Sequence, residues 1–321
     1  MKKKYELTSE TKEAHGATLY RIRAVRNFGT VKAGDLGGWI EKEANLSKSD
    51  NAWVCDNAEV YGDARVYGNA MVCDNAEVYG NAEVYDDAMV CNNARVYGNA
   101  EVYGNARVYG NAEVYGNARV YGNAEVYGNA RVYGNARVYG DARVYGNAMV
   151  CDNARVCDDA RVYNNAEVYD NALVYGNAKI RGNVEVCGNA RVCDNAEVYG
   201  DAMVCNNAVV YDNAEVYGDA AVCGNAEAYG NVRVCGIAQV SDIEQIFWIS
   251  NIGSRHDTTT FFQCQDGKIR VKTGCFYGDL EAFAAAIQKT HGDNKYAQVY
   301  RLAIEQAKAQ IGEAGPEAGH V

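Results

Sequence analysis

From Val54 to Val240 every sixth residue is Val, apart from Ile180 and Ala228. Four residues after each, as far as Ala238, comes Ala, apart from Val184 and Val232. A register held from position 54 to position 240 without an insertion leaves few folds open. Within one unit, Ala-x-Val-Tyr reads as a short strand of period two. Ala and Val share one face; the x residue, often Glu or Arg, shares the other with Tyr. Gly-Asn or Asp-Asn follows and turns the chain, since these residues accept positive φ. One such strand is too short to fold alone. Coiling lets each pair in parallel with its copy one turn further on, at about 4.8 Å, around a continuous Val/Ala core. Composition agrees: 48% hydrophobic residues, 25 Tyr and 23% charged residues exclude disorder, and a single Pro excludes collagen.

Val at one position and a small residue four further on, repeated every six, resembles the hexapeptide repeat of the left-handed parallel β-helix. The resemblance implies a three-sided helix with three hexapeptides per coil and about ten coils, wound against the usual right-handed crossover rule. The fold class is therefore all-β, with 46–241 as the β-helix, 1–45 as an N-terminal cap and 242–321 as a small α+β module. The slot after Val departs from that family. There it is small or acidic; here it is Tyr or Cys.

At three hexapeptides per coil this slot forms three outward columns. One opens with Cys55, Cys73 and Cys91 and continues with Tyr109 and Tyr127. Another closes with Cys187, Cys205 and Cys223. Tyrosines stacked at the strand spacing stiffen the edges of the prism. The stacked cysteines fall within disulfide range, but Met1–Glu6 has no apolar segment behind its basic start. A cytoplasmic location, with reduced cysteines standing in for Tyr, is expected. The repeat holds no Cys-x-x-Cys pair, and no metal and no cofactor are expected. The x positions stack as well. Arg119, Arg137 and Arg155 fall in one column and Arg143 and Arg161 in another. They form either a solvated face balanced by turn residues such as Asp141, Asp152, Asp158 and Asp159, or a belt for an anion.

An open β-helix exposes core and strand edges at both ends, so caps are expected. Thr18–Val25 alternates as a strand. Gly34–Ile40 is a Gly-rich turn into the first coil, and Trp39 and Trp53 plug the end. Past Val240, Phe247–Ile249 and Thr258–Cys264 read as strands. Asp266-Gly267 is a hairpin turn, Asp279 caps a helix to about Thr290, and Lys295–Ile311 is a second helix. The chain frays from Gly312. Gly253-Ser254-Arg255-His256-Asp257-Thr258, Gly274-Cys275-Phe276 and Gly278–Phe283 resemble a module of phage and gut-bacterial proteins of unknown function. Tyr20–Ala24 with Val31–Trp39 resembles the N-terminal segment of the same group. Some of its members carry an acyltransferase label.

Charge is uneven: +3 over 1–53, −12 over 54–240 and −2 over 241–321. An acidic body without a Lys/Arg tract is a poor match for nucleic acid, and no run of apolar residues is long enough for a membrane span. The expectation is a non-enzymatic rigid scaffold or binding protein, phage- or prophage-associated by resemblance, with the C-terminal module as the interacting part. Its partner is a protein or a small molecule, and self-association through the prism sides or the module stays open. One alternative is a capture protein for a small anionic metabolite or nucleotide. The other is a hexapeptide-family acyltransferase. The resemblance implies that such an enzyme uses a His as general base with CoA between neighbouring prisms, yet 54–240 contains no His. Polar and nucleophilic side chains gather instead in the module: Ser254, Arg255, Asp257, Thr258, Cys275 and His291. Arg offers a planar fork for an anion, and a Cys near a His is a candidate nucleophile. The plainer assignment pairs Arg255 with Asp257, buries Cys275 and leaves His291 at a helix end.

Overall fold

The computed structural model describes residues 3–312. The expected fraying concerns 313–321, which lie outside the described residues. The chain forms two compact units, 1–170 and 171–321, each taken by itself below.

In the first unit, strands β1 (Tyr5–Ala14), β2 (Ala17–Ala24) and β3 (Leu36–Ile40) pair antiparallel in that order. β3 then pairs in parallel with Glu59–Val60, so the cap and the coils share one sheet. The coils follow, each strand paired with its counterpart three hexapeptides on. Glu59–Val60 pairs with Glu77–Val78, Arg65–Val66 with Glu83–Val84 and Trp53–Val54 with Met71–Val72, one on each of three faces. Val and Ala of every repeat are buried and Tyr is half-buried. The hydrophobic period thus sets which side chains turn inward, and Val supplies most of the buried apolar area.

The strands are shorter than the four residues expected: most comprise only the x residue and Val. The ladder nonetheless runs on around the corner. Asn99, Glu101 and Tyr103 donate their backbone N–H groups to the carbonyls of Gly116, Ala118 and Val120 at 2.7, 2.9 and 3.0 Å. A left-handed residue follows Tyr or Cys at each corner. Gly116 has φ 72°, and a Cβ there would sit 3.0 Å from the Gly134 nitrogen. Asp74 and Asn92 take the same conformation, which Asx residues tolerate better than most. The Asn that follows does more than turn the chain. Asn99 donates its side-chain amide to Asn117 at 3.0 Å, and Asn117 to Asn135 at 3.1 Å, forming ladders along the corners.

Trp39 of the cap and Trp53 of the first coil are both buried. So is Lys4, whose Nζ donates to the Ala52 carbonyl at 2.6 Å, the Asp50 carbonyl at 3.0 Å and the Asp50 carboxylate at 3.1 Å. A buried ammonium is tolerable because its three donors are all satisfied.

The second unit repeats the three-faced pattern from Leu173 to Val240. A four-stranded antiparallel sheet follows: Ile246–Ile252, Asp257–Gln263, Ile269–Thr273 and Phe276–Asp279. Helices α1 (Leu280–His291) and α2 (Lys295–Ile311) pack on it. Phe261, Val271, Phe283, Ile287, Ala297 and Ile304 form the core between them. The Asp279 carboxylate accepts the Ala282 N–H at 2.8 Å, the cap read from sequence. The module continues the last coil: Ala238 bridges Cys264, and the Gln265 N–H donates to the Ile237 carbonyl at 3.1 Å. One expectation is corrected. Cys205 and Cys223 are joined as a disulfide, because equivalent slots of neighbouring coils bring their Cα atoms to 4.6 Å.

Candidate functional site

Two places gather the side chains singled out by the sequence. The first is the turn Gly253–His256, which links the first two strands of the module's sheet. Ser254 and Arg255 are exposed at its tip. Arg255 reaches the neighbouring turn at 274–275, with Nη2 3.9 Å from the Cys275 sulfur. Cys275 is exposed and not core. The Asp257 carboxylate accepts the Thr258 N–H at 2.8 Å, and no ion pair joins it to Arg255 among the described residues. Thr258 is buried, with its hydroxyl 3.0 Å from that of Ser250. The plainer sequence assignment therefore fails for Arg255 and Cys275. Both sit on surface turns, where two hairpin tips happen to lie side by side.

His291 is the last residue of α1. Its ring lies 5.9 Å from that of Tyr300, nearly parallel to it. Tyr300 is buried against the turn: a Cβ on Gly253 would collide with its hydroxyl, so only Gly fits there. Burial pushes the Tyr300 phenol up, while a hydrogen bond with Thr273 and the nearby Arg255 charge pull it back. Arg255 and His291 thus both neighbour Tyr300, but no hydrogen bond joins them among the described residues.

A polar cleft of about 380 Å³ opens on the other side of the same strands. Asn213, Glu215, Asn231 and Arg233 of the last coils form one wall. Ser250, Asn251, His256, Asp257 and Thr258 form the other. Arg233 donates its backbone N–H to Thr260 at 3.2 Å and turns Nε toward Glu215 at 3.3 Å. The His256 ring meets the Asn251 side chain at 3.1 Å, and both residues have positive φ, 52° and 61°. Asn and His are among the residues that accept this conformation at turns. Sequence reading found Asp257 and Thr258 but missed the coil wall. Its residues occupy ordinary x and Asn positions, and only the return of the module onto the coils makes them special.

The second place is the arginine belt of the first unit. Arg119, Arg137 and Arg155 stand in register on neighbouring strands, as do Arg143 and Arg161. Arg119 pairs with Glu101 at 3.2 Å and Arg143 with Glu125 at 3.7 Å. Arg137, Arg155 and Arg161 make no ion pair among the described residues. Asp141 accepts the Asn123 amide at 2.9 Å and so belongs to a corner ladder. Like charges directly opposite each other are destabilising on a sheet, and in this row only Arg119 and Arg143 are offset by an ion pair among the described residues.

Beside the belt, tyrosines stack in long files. Tyr67, Tyr85, Tyr103, Tyr121 and Tyr139 keep centroid spacings of 4.8–4.9 Å, tilted by 3° or less. The first two hydroxyls meet carboxylates of the next coil, Tyr67 with Glu83 at 2.8 Å and Tyr85 with Glu101 at 3.2 Å. Burial and these carboxylates hold the phenols well above their ordinary range. Elsewhere in the first unit, Cys73, Asp74 and Cys91 bring their ligand atoms within 4.8 Å of one another. A search for Cys-x-x-Cys spacing does not reach this grouping, because its members lie one coil apart.

Closed coils of three hexapeptides, three faces and an appended α+β module define a repeat β-solenoid protein. Comparison with known families agrees. The repeat is similar to the YdcK Beta solenoid repeat, which matches residues 58–74, 64–80, 100–115, 112–128, 124–140, 130–144, 136–152 and 142–156. A curated relative, the uncharacterized acetyltransferase YdcK of Escherichia coli (strain K12), is 40% identical over 55 residues. The match spans 17% of this chain and 17% of that relative's length. Among the described residues no helix is long and apolar enough to cross a membrane.

Proposed function

We propose that the chain is a non-enzymatic rigid binding scaffold and that its C-terminal module carries the interaction. The observation behind this reading is the polar cleft between the last coils and the 250–258 segment. The coils themselves are closed, free of His and free of any inserted loop that would shape a catalytic pocket. Phage or prophage association and a cytoplasmic location belong to the same reading. The first predicts a transcript that rises on prophage induction. The second predicts recovery of the protein in the cytoplasmic fraction of lysed cells.

The test uses the full-length protein and an Arg233→Ala/His256→Gly variant. His256→Gly relieves the backbone conformation while removing the ring. Species cross-linked to the wild type and lost from the variant, at equal melting temperature, support the reading. Species held equally by both would overturn it. The name of the YdcK relative makes acetyl transfer the natural competitor. Acetyl-CoA binding by calorimetry, followed by turnover, would overturn the non-enzymatic assignment.

A second reading has its own observation. Arg137 and Arg155 sit in register without an ion pair among the described residues, which suits capture of a small anionic metabolite or nucleotide. Arg137→Ala/Arg155→Ala should then abolish retention of anions in an unbiased metabolite capture, while the cleft variant leaves it unchanged.

A further inference from the structure

Methionine occurs four times within the repeat, and each time two residues before a cysteine: Met71-Val72-Cys73, Met89-Val90-Cys91, Met149-Val150-Cys151 and Met203-Val204-Cys205. Yet Cys fills only a minority of the slots after Val, most being Tyr. Met and Cys flank an inward Val in each motif, so both belong to the outer surface of the coil. In two neighbouring coils these motifs meet. Met71 pairs in register with Met89 and Val72 with Val90, which puts Cys73 beneath Cys91. The two sulfurs and an Asp74 carboxylate oxygen all lie within 4.8 Å of one another.

We propose that this patch is a binding site for a thiophilic monovalent d10 cation, of which copper(I) is the biological example, held by the Cys73 and Cys91 thiolates with Met71 and Met89 beside them. Two metal–sulfur bonds of about 2.3 Å set end to end span about 4.6 Å, and the two sulfurs lie within 4.8 Å of each other, so one ion can reach both with little movement. Soft thiolate and thioether ligands favour copper(I), whereas magnesium and calcium want oxygen. Zinc would use the thiolates and Asp74 but has no use for the thioethers, and the recurrent Met is what the sequence adds. The surroundings are also ordered. Asp74 accepts the Asn92 N–H at 2.9 Å, and the Asn92 amide lies 3.8 Å from the Cys91 sulfur, so both flanking groups are oriented from outside the site. Both thiols are half-buried. The site lies in the first unit and is independent of the cleft.

The test is an anaerobic titration of reduced full-length protein with copper(I), in competition with a chromogenic copper(I) chelator. The wild type should hold one equivalent more than Cys73→Tyr, which carries the residue that most repeats have at that position and so keeps the coil intact. Met71→Leu/Met89→Leu should weaken that equivalent on the order of tenfold. Met149→Leu, beside a cysteine with no second sulfur stacked on it, should not change it. Equal copper(I) binding by the wild type and Cys73→Tyr, with both folded by circular dichroism, would overturn the proposal. So would preferential loading of zinc from a mixture of the two metals, or indifference to the methionine substitutions.

Discussion

Removing residues from the middle of the coils separates the hexapeptide phase from mere length. Deleting 104–121 takes out one whole coil and leaves Tyr103 followed by Gly122, in phase. Glu101–Val102 then pairs with Arg137–Val138, and the Tyr103 ring stacks on that of Tyr139. Every inward slot still holds Val or Ala, so the loss is one coil's small net contribution, a few degrees in melting temperature. Deleting only 104–106 is a smaller excision but breaks phase. Arg107 would fall at the left-handed corner and Tyr109 and Asn111 would point inward. The chain can escape only by sacrificing one hexapeptide. That hexapeptide donates three inter-coil hydrogen bonds of 2.7–3.0 Å and accepts as many, and it buries one Val completely. At about 1 kcal/mol per hydrogen bond and about 2 kcal/mol for the Val, the cost is about 8 kcal/mol, comparable with the whole stability of a typical domain. Thermal melts followed by circular dichroism decide the matter. Melting of the out-of-phase deletion within a few degrees of the whole-coil deletion would refute the argument from phase. Failure of the whole-coil deletion to fold would refute a coil of three hexapeptides.

The tyrosine files predict an alkaline weakness. Burial and the Glu113 carboxylate hold Tyr97 up at about 12, against about 10 in an unfolded chain. The folded state therefore binds more protons between those values. This stabilisation is complete below about pH 10 and is lost as pH rises through about 12. Tyrosinate absorbance should appear later in the native protein than in urea, and the melting temperature should fall above about pH 10; coincident titration curves would contradict this. In the cap, Lys4→Met keeps the length of the side chain but strips the Ala52 and Asp50 carbonyls and the Asp50 carboxylate of their donor. Because Asp50 is 28% exposed and can rehydrate, the expected loss is about 2–3 kcal/mol by urea unfolding.

Most of the fold is legible because the repeat states it one hexapeptide at a time. Val at every sixth position fixes the inward face, and the invariance of the interval excludes loops. What the sequence does not state is how far each strand extends. Ala-x-Val-Tyr alternates along its whole length, yet in most repeats the pairing covers only x-Val, while the hydrogen bonds continue past it. The asparagine ladders are hidden for a related reason. Asn at a corner is explained by its backbone tolerance alone, and its amide's second role appears only when corners stack. The caps are legible as elements, such as α2 at Lys295–Ile311, because a helix announces itself by its apolar period. The satisfied burial of Lys4 is not, because its partners lie 46 to 48 residues away in a loop.

The candidate sites divide along the same line. Where the lattice of stacked hexapeptides places side chains, sequence is a sufficient guide: the Arg119–Arg137–Arg155 row and the Cys205–Cys223 contact both follow from counting. Counting reveals who stands beside whom, but not whether a contact becomes a bond, which is why the disulfide overturned the expectation of reduced thiols. Where the lattice ends, proximity depends on turns. Arg255 and Cys275 meet because two hairpin tips lie side by side, and Arg233 faces His256 because the module's second strand lies against the last coils. Neither relation has a sequence period. The cleft is therefore the part of the molecule where function could be built without disturbing the repeat. Its coil wall uses the ordinary x and Asn positions of the last coils, and its module wall uses the backbone freedom of Asn251 and His256.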